Sequence, residues 1–341
     1  MSRRSLTIAL ALVVTLALTI TALALALTRV RTGSGAQPQP APVSTPPAAA
    51  SGAPAPVPPR TGALLGAWVK PDQFTDSGRI AALDGFTRSV GRPLDVVQDY
   101  HKWNDEFPDE FDRTVAHSGA IPLISWGGTD THLIAVGDDD EVIHQRAQAL
   151  KAWRAPVLLR WRWEMDRPNL AGEVHGPTEY IAAWKRIRAV FRAERVSNVS
   201  FVWCPLAEGF GSGKAQDYYP GSDQVDWLCA DAYTLDPGQP LEDLLAPFLS
   251  WAQPLGKPIV IAEFGSVPGK DGQRAAWISA VPALVAKYPQ LKALLYFDAD
   301  TQQRTEERRW SLRWDQRDVQ AFAGLARDPA LNTRHRRITP G

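Results

Sequence analysis

Residues 156–166, PVLLRWRWEMD, are the stretch on which the reading of the fold turns. Val157-Leu158-Leu159 is an unbroken apolar run, the mark of a strand buried on both faces in a parallel sheet covered by helices. Large polar and aromatic groups then crowd its C-terminal end: Arg160, Trp161, Arg162, Trp163 and Glu164. Just downstream the period changes. Ile181, Trp184, Ile187 and Phe191 fall on one helical stripe, with Thr178 placed to cap it. VSFVWC (199–204) is the next apolar run, so the stretch belongs to a strand–helix–strand unit of a parallel α/β fold.

Working outward, eight such runs appear in order: Leu64–Val69, Leu94–Tyr100, Ile121–Trp126, Val157–Glu164, Val199–Cys204, Val225–Asp231, Ile259–Glu263 and Ala293–Phe297. Helical stripes separate them, among them Leu241, Leu244, Leu245 and Phe248, then Trp277, Val281 and Leu284. A last helix from Asp315 to Ala326, with Val319, Phe322 and Leu325, closes the ring. Eight units within residues 61–330 predict a single (β/α)8 TIM barrel, a fold that takes about 250 residues. An open dinucleotide-binding sheet fits less well: Gly62 and Gly66 flank the first run, but no GxGxxG opens a helix.

The flanks differ in kind. In residues 1–32, Arg3 and Arg4 precede an uncharged apolar run from Leu6 to Thr28, followed by Arg29 and Arg31. That length spans roughly 30 Å of hydrocarbon as a helix, which predicts a signal anchor; Ala24-Leu25-Ala26 offers the alternative, a cleaved signal peptide. Either way the head is expected outside the cytoplasmic membrane. Residues 33–60, rich in Pro, Ala, Gly and Ser, have no core to build and are expected as a disordered linker. Residues 331–341 read as a basic tail.

Charge narrows the partners. The chain carries 37 basic and 37 acidic residues, but every acid lies between 62 and 330, and eight arginines lie outside that range. The head therefore sets 29 basic residues against 37 acidic ones, a net of −8, which argues against a nucleic-acid partner. A monomeric head acting on a saccharide is expected instead. The six histidines show no paired-ligand spacing, so neither a metal nor another cofactor is expected. The acidic run Asp138–Glu141 lacks the alternation of a calcium loop and reads as a helix start.

Chemistry in such a barrel sits where strands end. Glu164 ends the fourth strand and Glu263 the seventh, so the two carboxylates face each other across the mouth. This is the pair a retaining glycosidase needs: one group protonates the departing oxygen while the other attacks the anomeric carbon. Other strand ends supply Asp99, Tyr100, His101, Trp103, Trp126, Asp231 and Tyr233, and the 13 tryptophans include several at these mouths. Flat apolar faces for sugar rings beside polar groups for hydroxyls make a saccharide cleft. Arg160, four residues before Glu164, shares the inward parity of its strand. Trp153, Trp184 and Trp277 fall in helices and read as core.

With these residues in place, the head resembles glycoside hydrolase family 26, the β-mannanase type of the retaining barrel clan. The resemblance covers most of residues 62–330. It runs through Pro156–Arg160 to Glu164-Met165, Glu179-Tyr180 to Trp184, Asn198 to Trp203 and Tyr218–Gly221. It continues through Val225–Trp227 to Asp231 and Tyr233, and ends with Lys257-Pro258 to Gly265. It implies that Glu164 is the acid/base, that Glu263 is the nucleophile, and that Tyr233 hydrogen-bonds the nucleophile. Three positions depart from the family pattern. Trp163 replaces a His, Asp166 replaces an Asn, and Arg167-Pro168-Asn169-Leu170 replace a Gly- and Trp-rich segment. These border the subsites either side of the scissile bond and bear on specificity for β-1,4-mannan. Trp163, Arg160, Trp126, Asp99, His101, Trp103, Asp231 and Tyr233 are candidate substrate contacts for a β-linked polysaccharide, whether mannan, mixed-linkage glucan, xylan or a bacterial exopolysaccharide. Cys204 and Cys229, where the family generally has small residues, sit on adjacent strands and are either bridged or two small buried thiols.

The function expected is an endo-acting, retaining β-glycanase. A transglycosylase remodelling cell-surface glycan and a non-catalytic carbohydrate-binding barrel are the rivals, separated from it by product analysis and by turnover.

Overall fold

The computed structural model describes residues 54–303 and 306–334. The apolar segment 1–32, linker residues 33–53 and most of the basic tail lie outside the described residues. No helix among the described residues is long and apolar enough to cross a membrane.

Eight strands form in order: β1 (Leu64–Val69), β2 (Val96–His101), β3 (Ile121–Trp126), β4 (Val157–Trp161), β5 (Val199–Trp203), β6 (Trp227–Thr234), β7 (Ile259–Ser266) and β8 (Leu291–Asp298). Each pairs in parallel with the next, and β8 returns to β1 over the register Leu64↔Ala293 to Val69↔Asp298. The sheet is therefore a closed barrel, as expected from the eight apolar runs. Helices cover it: α1 (Asp76–Val90), α2 (Glu110–His117), α3 (Thr131–Val136), α4 (Asp140–Trp153), α5 (Ala171–Val174), α6 (Pro177–Ala193), α7 (Ala207–Gly211), α8 (Leu241–Ala252), α9 (Gln273–Ser279), α10 (Val281–Lys287) and α11 (Gln316–Arg327). A hairpin absent from the sequence reading, β9 (Asp300–Gln303) and β10 (Glu306–Arg309), follows β8.

Both faces of the strands are apolar for the reason the runs suggested. Outward residues such as Leu159, Trp161 and Phe201 meet the helices. Inward residues Leu64, Val96, Leu158, Val202, Trp227, Val260 and Leu295 fill the barrel's interior. Above this plug the interior turns polar, and that change of layer creates the site.

Local expectations shifted, and one open alternative closed. β4 stops at Trp161, because Arg162 and Glu164 adopt left-handed φ of +44° and +52° and cannot continue a ladder. Thr178 lies inside α6 and does not cap it; Gly176 holds that position with Pro177 first in the helix, where its missing N–H costs nothing. The stripe through Trp277 and Leu284 is two helices, α9 and α10, with Pro282 in the first turn of the second. Cys204 and Cys229 are bridged, with Cα atoms 4.3 Å apart, inside the barrel.

The end of the linker is also corrected. Residues 54–60 lie on the barrel: Pro56 is buried, the Ala55 N–H donates to Ser197 O at 3.1 Å, and Arg60 O accepts from Lys292 Nζ at 3.4 Å. Proline fixes φ before folding, so ordering this stretch costs little. A chain beginning at Thr61 is therefore expected to fold and keep its activity but to be less stable than one beginning at Pro54. The difference, about 1 kcal/mol, corresponds to about 2 °C in Tm. Equal melting temperatures would show that the contact contributes nothing.

Candidate active site

Glu263 reaches the barrel interior because β7 carries a bulge. Val260 pairs with Cys229 of β6, yet Glu263 pairs with Asp231, so two residues of β7 stand against one of β6. The same extra residue appears against β8, where Ile261 pairs with Leu294 and Phe264 with Tyr296. Regular alternation would put Glu263 on the helix side with Ile261; the bulge turns it inward beside Val260 and Ala262. There its Oε1 accepts from Tyr100 at 2.6 Å, from Gln98 Nε2 at 3.1 Å and from Arg160, while its Oε2 accepts from Tyr233. Burial pushes the carboxyl up, but the Arg160 charge and the two tyrosine hydroxyls outweigh it and hold it below the usual range.

Arg160 is the centre of this layer. Its guanidinium is fully buried, donates to both Asp231 oxygens at 2.8 and 3.0 Å, to Glu263, and through Nε to Ser125 Oγ at 3.0 Å. One cation cannot neutralise two buried carboxylates. Burial accordingly pushes Asp231 well above the carboxylate range, while Glu263 is drawn down. The Trp163 ring lies over the guanidinium, 4.9 Å from its centroid.

Glu164 stands on irregular chain. Its left-handed backbone is held by its N–H donating to Cys204 O at 2.7 Å, and nearby Asp166 accepts the Leu206 N–H at 3.1 Å. A glutamate kept in this sparsely populated region is strain fixed by its surroundings. Its Oε2 lies 2.9 Å from Arg167 Nε. Burial first, then the negative charge of Glu263, pushes its carboxyl up to about 8. One oxygen each of Glu164, Asp231 and Glu263 lie within 4.8 Å of one another.

Above them opens a cleft of 1130 Å3. Trp68, Tyr100, Trp163, Tyr233, Phe297 and Trp310 give it aromatic walls, with Trp68 and Phe297 stacked at 4.9 Å. Arg167, Asn169, Glu208, Gln239 and Arg308 supply polar groups. A groove of similar size between α1 and α11 contains neither glutamate.

The candidate residues divide into three sets. Glu164, Glu263, Tyr233 and Trp163 line the cleft. Arg160 and Asp231 lie beneath it, Arg160 meeting its floor at Glu263 and under the Trp163 ring. Asp99, His101, Trp103 and Trp126 are not in it. Asp99 and His101 share the outward parity of β2 and face the helices, where Asp99 pairs with Arg79 of α1 and His101 Nε2 lies 3.1 Å from Asp112 of α2. Trp126 likewise points outward, stacked on Trp103 at 4.4 Å and donating from Nε1 to Trp103 O. The sequence reading passed over Gln98 and Trp68 and left Tyr100 among the strand ends; parity with Val96 and Gly66 marks all three as inward. Trp310 and Arg308 belong to the hairpin after β8 and had no signal of that kind.

No family model matches the chain. Among curated proteins it is 26% identical over 258 residues to an endoglucanase H of Acetivibrio thermocellus, covering 70% of this chain and 28% of that one. It is 25% identical over 234 residues to a β-1,3-xylanase of a Vibrio species, covering 59% of this chain and 49% of that one. The chain thus spans between about a quarter and a half of the length of the curated relatives it matches. Among solved structures, a family 26 β-mannanase of Bacteroides ovatus superposes with a TM-score of 0.59 at 17% identity, covering 80% of this chain and 90% of that one. The catalytic domain of an endo-β-1,4-mannanase from Bacillus sp. JAMB-750 gives 0.58 at 15%, covering 79% and 87%. The fold is that of the family 26 mannanases, and the resemblance read from the sequence holds in three dimensions.

Proposed function

We propose that the head is a retaining β-glycanase with Glu263 as nucleophile and Glu164 as general acid/base, working outside the cytoplasmic membrane as the apolar segment 1–32 suggests. The observation that carries this is the carboxyl pair: two groups within 4.8 Å, one pushed up to about 8 and one held low. Retaining enzymes use carboxyls about 5–5.5 Å apart, whereas inverting ones leave wider room for water. Glu164, protonated, gives its proton to the glycosidic oxygen as Glu263 attacks the anomeric carbon; the C–O bond breaks and a glycosyl ester forms on Glu263. Glu164, now a carboxylate, takes a proton from water, which attacks the same carbon and releases Glu263. Tyr100, Tyr233 and Arg160 hold the free Glu263 ionised and aimed for the attack. The anomeric configuration of the first product tests this: retention is expected, and inversion would refute it. The names of the matched relatives, mannanases, an endoglucanase and β-1,3-xylanases, support a β-linked polysaccharide as substrate.

Acidity should shape the rate. As pH rises through about 8, Glu164 loses the proton it must donate; as pH falls into the acid range, Glu263 gains one and can no longer attack. A bell-shaped kcat/KM is expected, its alkaline limb near 8. A profile still rising at pH 9 would remove Glu164 from the acid role.

Specificity follows from the loop after Glu164. Arg167, Pro168 and Asn169 line the cleft where a stacking ring is absent, and such a ring is worth about 1–3 kcal/mol by analogy with base stacking. Efficiency on unsubstituted β-1,4-mannan is expected to be roughly 10- to 100-fold below that on the preferred glycan. Side-by-side kinetics in which mannan matches or exceeds every other β-glycan would contradict this.

A further inference from the structure

Arg167 stands in the cleft beside the group that must be neutral for chemistry to begin. Its Nε lies 2.9 Å from Glu164 Oε2, and its side chain is 38% exposed, against 5% for Glu164. When Glu164 holds its proton, it has no charge to return to the guanidinium. A second cation, Arg308, lines the same cleft. It follows β8, whereas Arg167 follows β4, and these strands stand four apart in the ring, so the two come from opposite walls. Arg160 offers no relief, since it is spent on Asp231 and Glu263 below. Apart from the catalytic pair, the one carboxylate among the described residues lining this cleft is Glu208, which is exposed.

We propose that the glycan is acidic, and that Arg167 receives the carboxylate of a uronate residue beside the scissile bond. This rests on the glycanase reading and names its substrate class. A guanidinium forks onto a carboxylate with two parallel N–H bonds, a geometry no neutral sugar hydroxyl can match. The incoming carboxylate takes the place of Glu164 as the partner of Arg167. Glu164 then keeps its proton without a cation beside it, so binding the correct sugar also arms the acid. A neutral glycan leaves Arg167 on Glu164, where its charge works against the rise that burial and Glu263 produce.

The test uses matched polymers that differ only at C6: soluble β-1,4-glucan and β-1,4-mannan, each neutral and oxidised to the uronate. Wild-type kcat/KM is expected to favour at least one uronate polymer over its neutral parent by roughly 10- to 100-fold, as charge-assisted hydrogen bonds imply. Arg167→Ala should collapse that ratio towards one, and Arg167→Lys, which keeps charge without the fork, should fall between. KM for the uronate should rise between about 0.05 and 0.5 M salt while KM for the neutral parent stays level. A wild type that prefers the neutral polymers, or a uronate preference that survives Arg167→Ala, overturns the proposal and leaves the glycanase reading standing. Loss of turnover on all four polymers, with wild type indistinguishable from Glu263→Ala, sinks that reading and the proposal with it.

Discussion

Glu263→Ala is expected to lower kcat on any glycoside by on the order of 10,000-fold or more, whatever the leaving group, because no glycosyl ester can form. Glu164→Ala should differ in kind. An aryl glycoside with an acidic leaving group departs without protonation, so Glu263 is still glycosylated, and turnover stalls at hydrolysis because water has lost its base. Azide needs no base. Adding it should restore turnover to Glu164→Ala with retained configuration, and should give Glu263→Ala an inverted product by attack from the vacated face. Burst kinetics and the anomeric form of the glycosyl azide read both outcomes. Identical behaviour of the two variants would mean the roles are wrongly assigned.

The second large effect belongs to Arg160. Arg160→Met leaves Asp231 and Glu263 as two buried carboxylates with no cation between them. Removing one partner of such a network costs about 3–5 kcal/mol of stability, and at neutral pH at least one carboxyl must take up a proton. Glu263 then loses the charge that holds it low, so the acid limb of the pH profile should move upward and activity at neutral pH should fall by two orders of magnitude or more, which is a barrier higher by roughly 3 kcal/mol. Arg160→Met with Asp231→Asn removes one of the stranded charges and should recover much of the melting temperature while activity stays low. Recovery of activity along with stability would show that Arg160 only fills space.

What could be read from the sequence follows from what burial does to residue choice. Strands covered on both faces must be apolar throughout, so the eight runs stood out, and β1 and β3 have the bounds expected of them. The carboxyl pair was legible because an uncompensated Glu after an apolar run is costly to bury without purpose. Uniformly apolar strands, however, do not display their own alternation. Asp99 and His101 were placed in the cleft because they end a strand, and counting from Gln98 would have sent them to the helices. The charge on those outward residues has its own account in Arg79 and Asp112. Trp103 and Trp126 misled for the same reason: a tryptophan at a strand end serves a cleft or a helix interface equally well until its face is known. The hairpin bearing Arg308, with Trp310 just beyond it, has no apolar period to detect: its strands read DTQQ and EERR, and Tyr296 O–H donates to Trp310 O at 2.8 Å.

The extra residue in β7 sets how this site can be altered by mutation. With Ala262 in place, the aim of Glu263 depends on the bulge taking up the extra residue, and hardly on which residues form it. A library of point substitutions at Ile261 and Ala262 samples packing and leaves that aim alone, so activity in such a library should vary modestly. Deleting Ala262 is a different move, since it removes the extra residue opposite Ala230: Glu263 then follows outward-facing Ile261 on the inward side by plain alternation, still opposite Asp231, while Phe264 keeps its pairing. A related barrel whose seventh strand is one residue shorter can therefore keep this carboxyl inward with no bulge at all, so strand length alone does not mark a barrel that has lost its site.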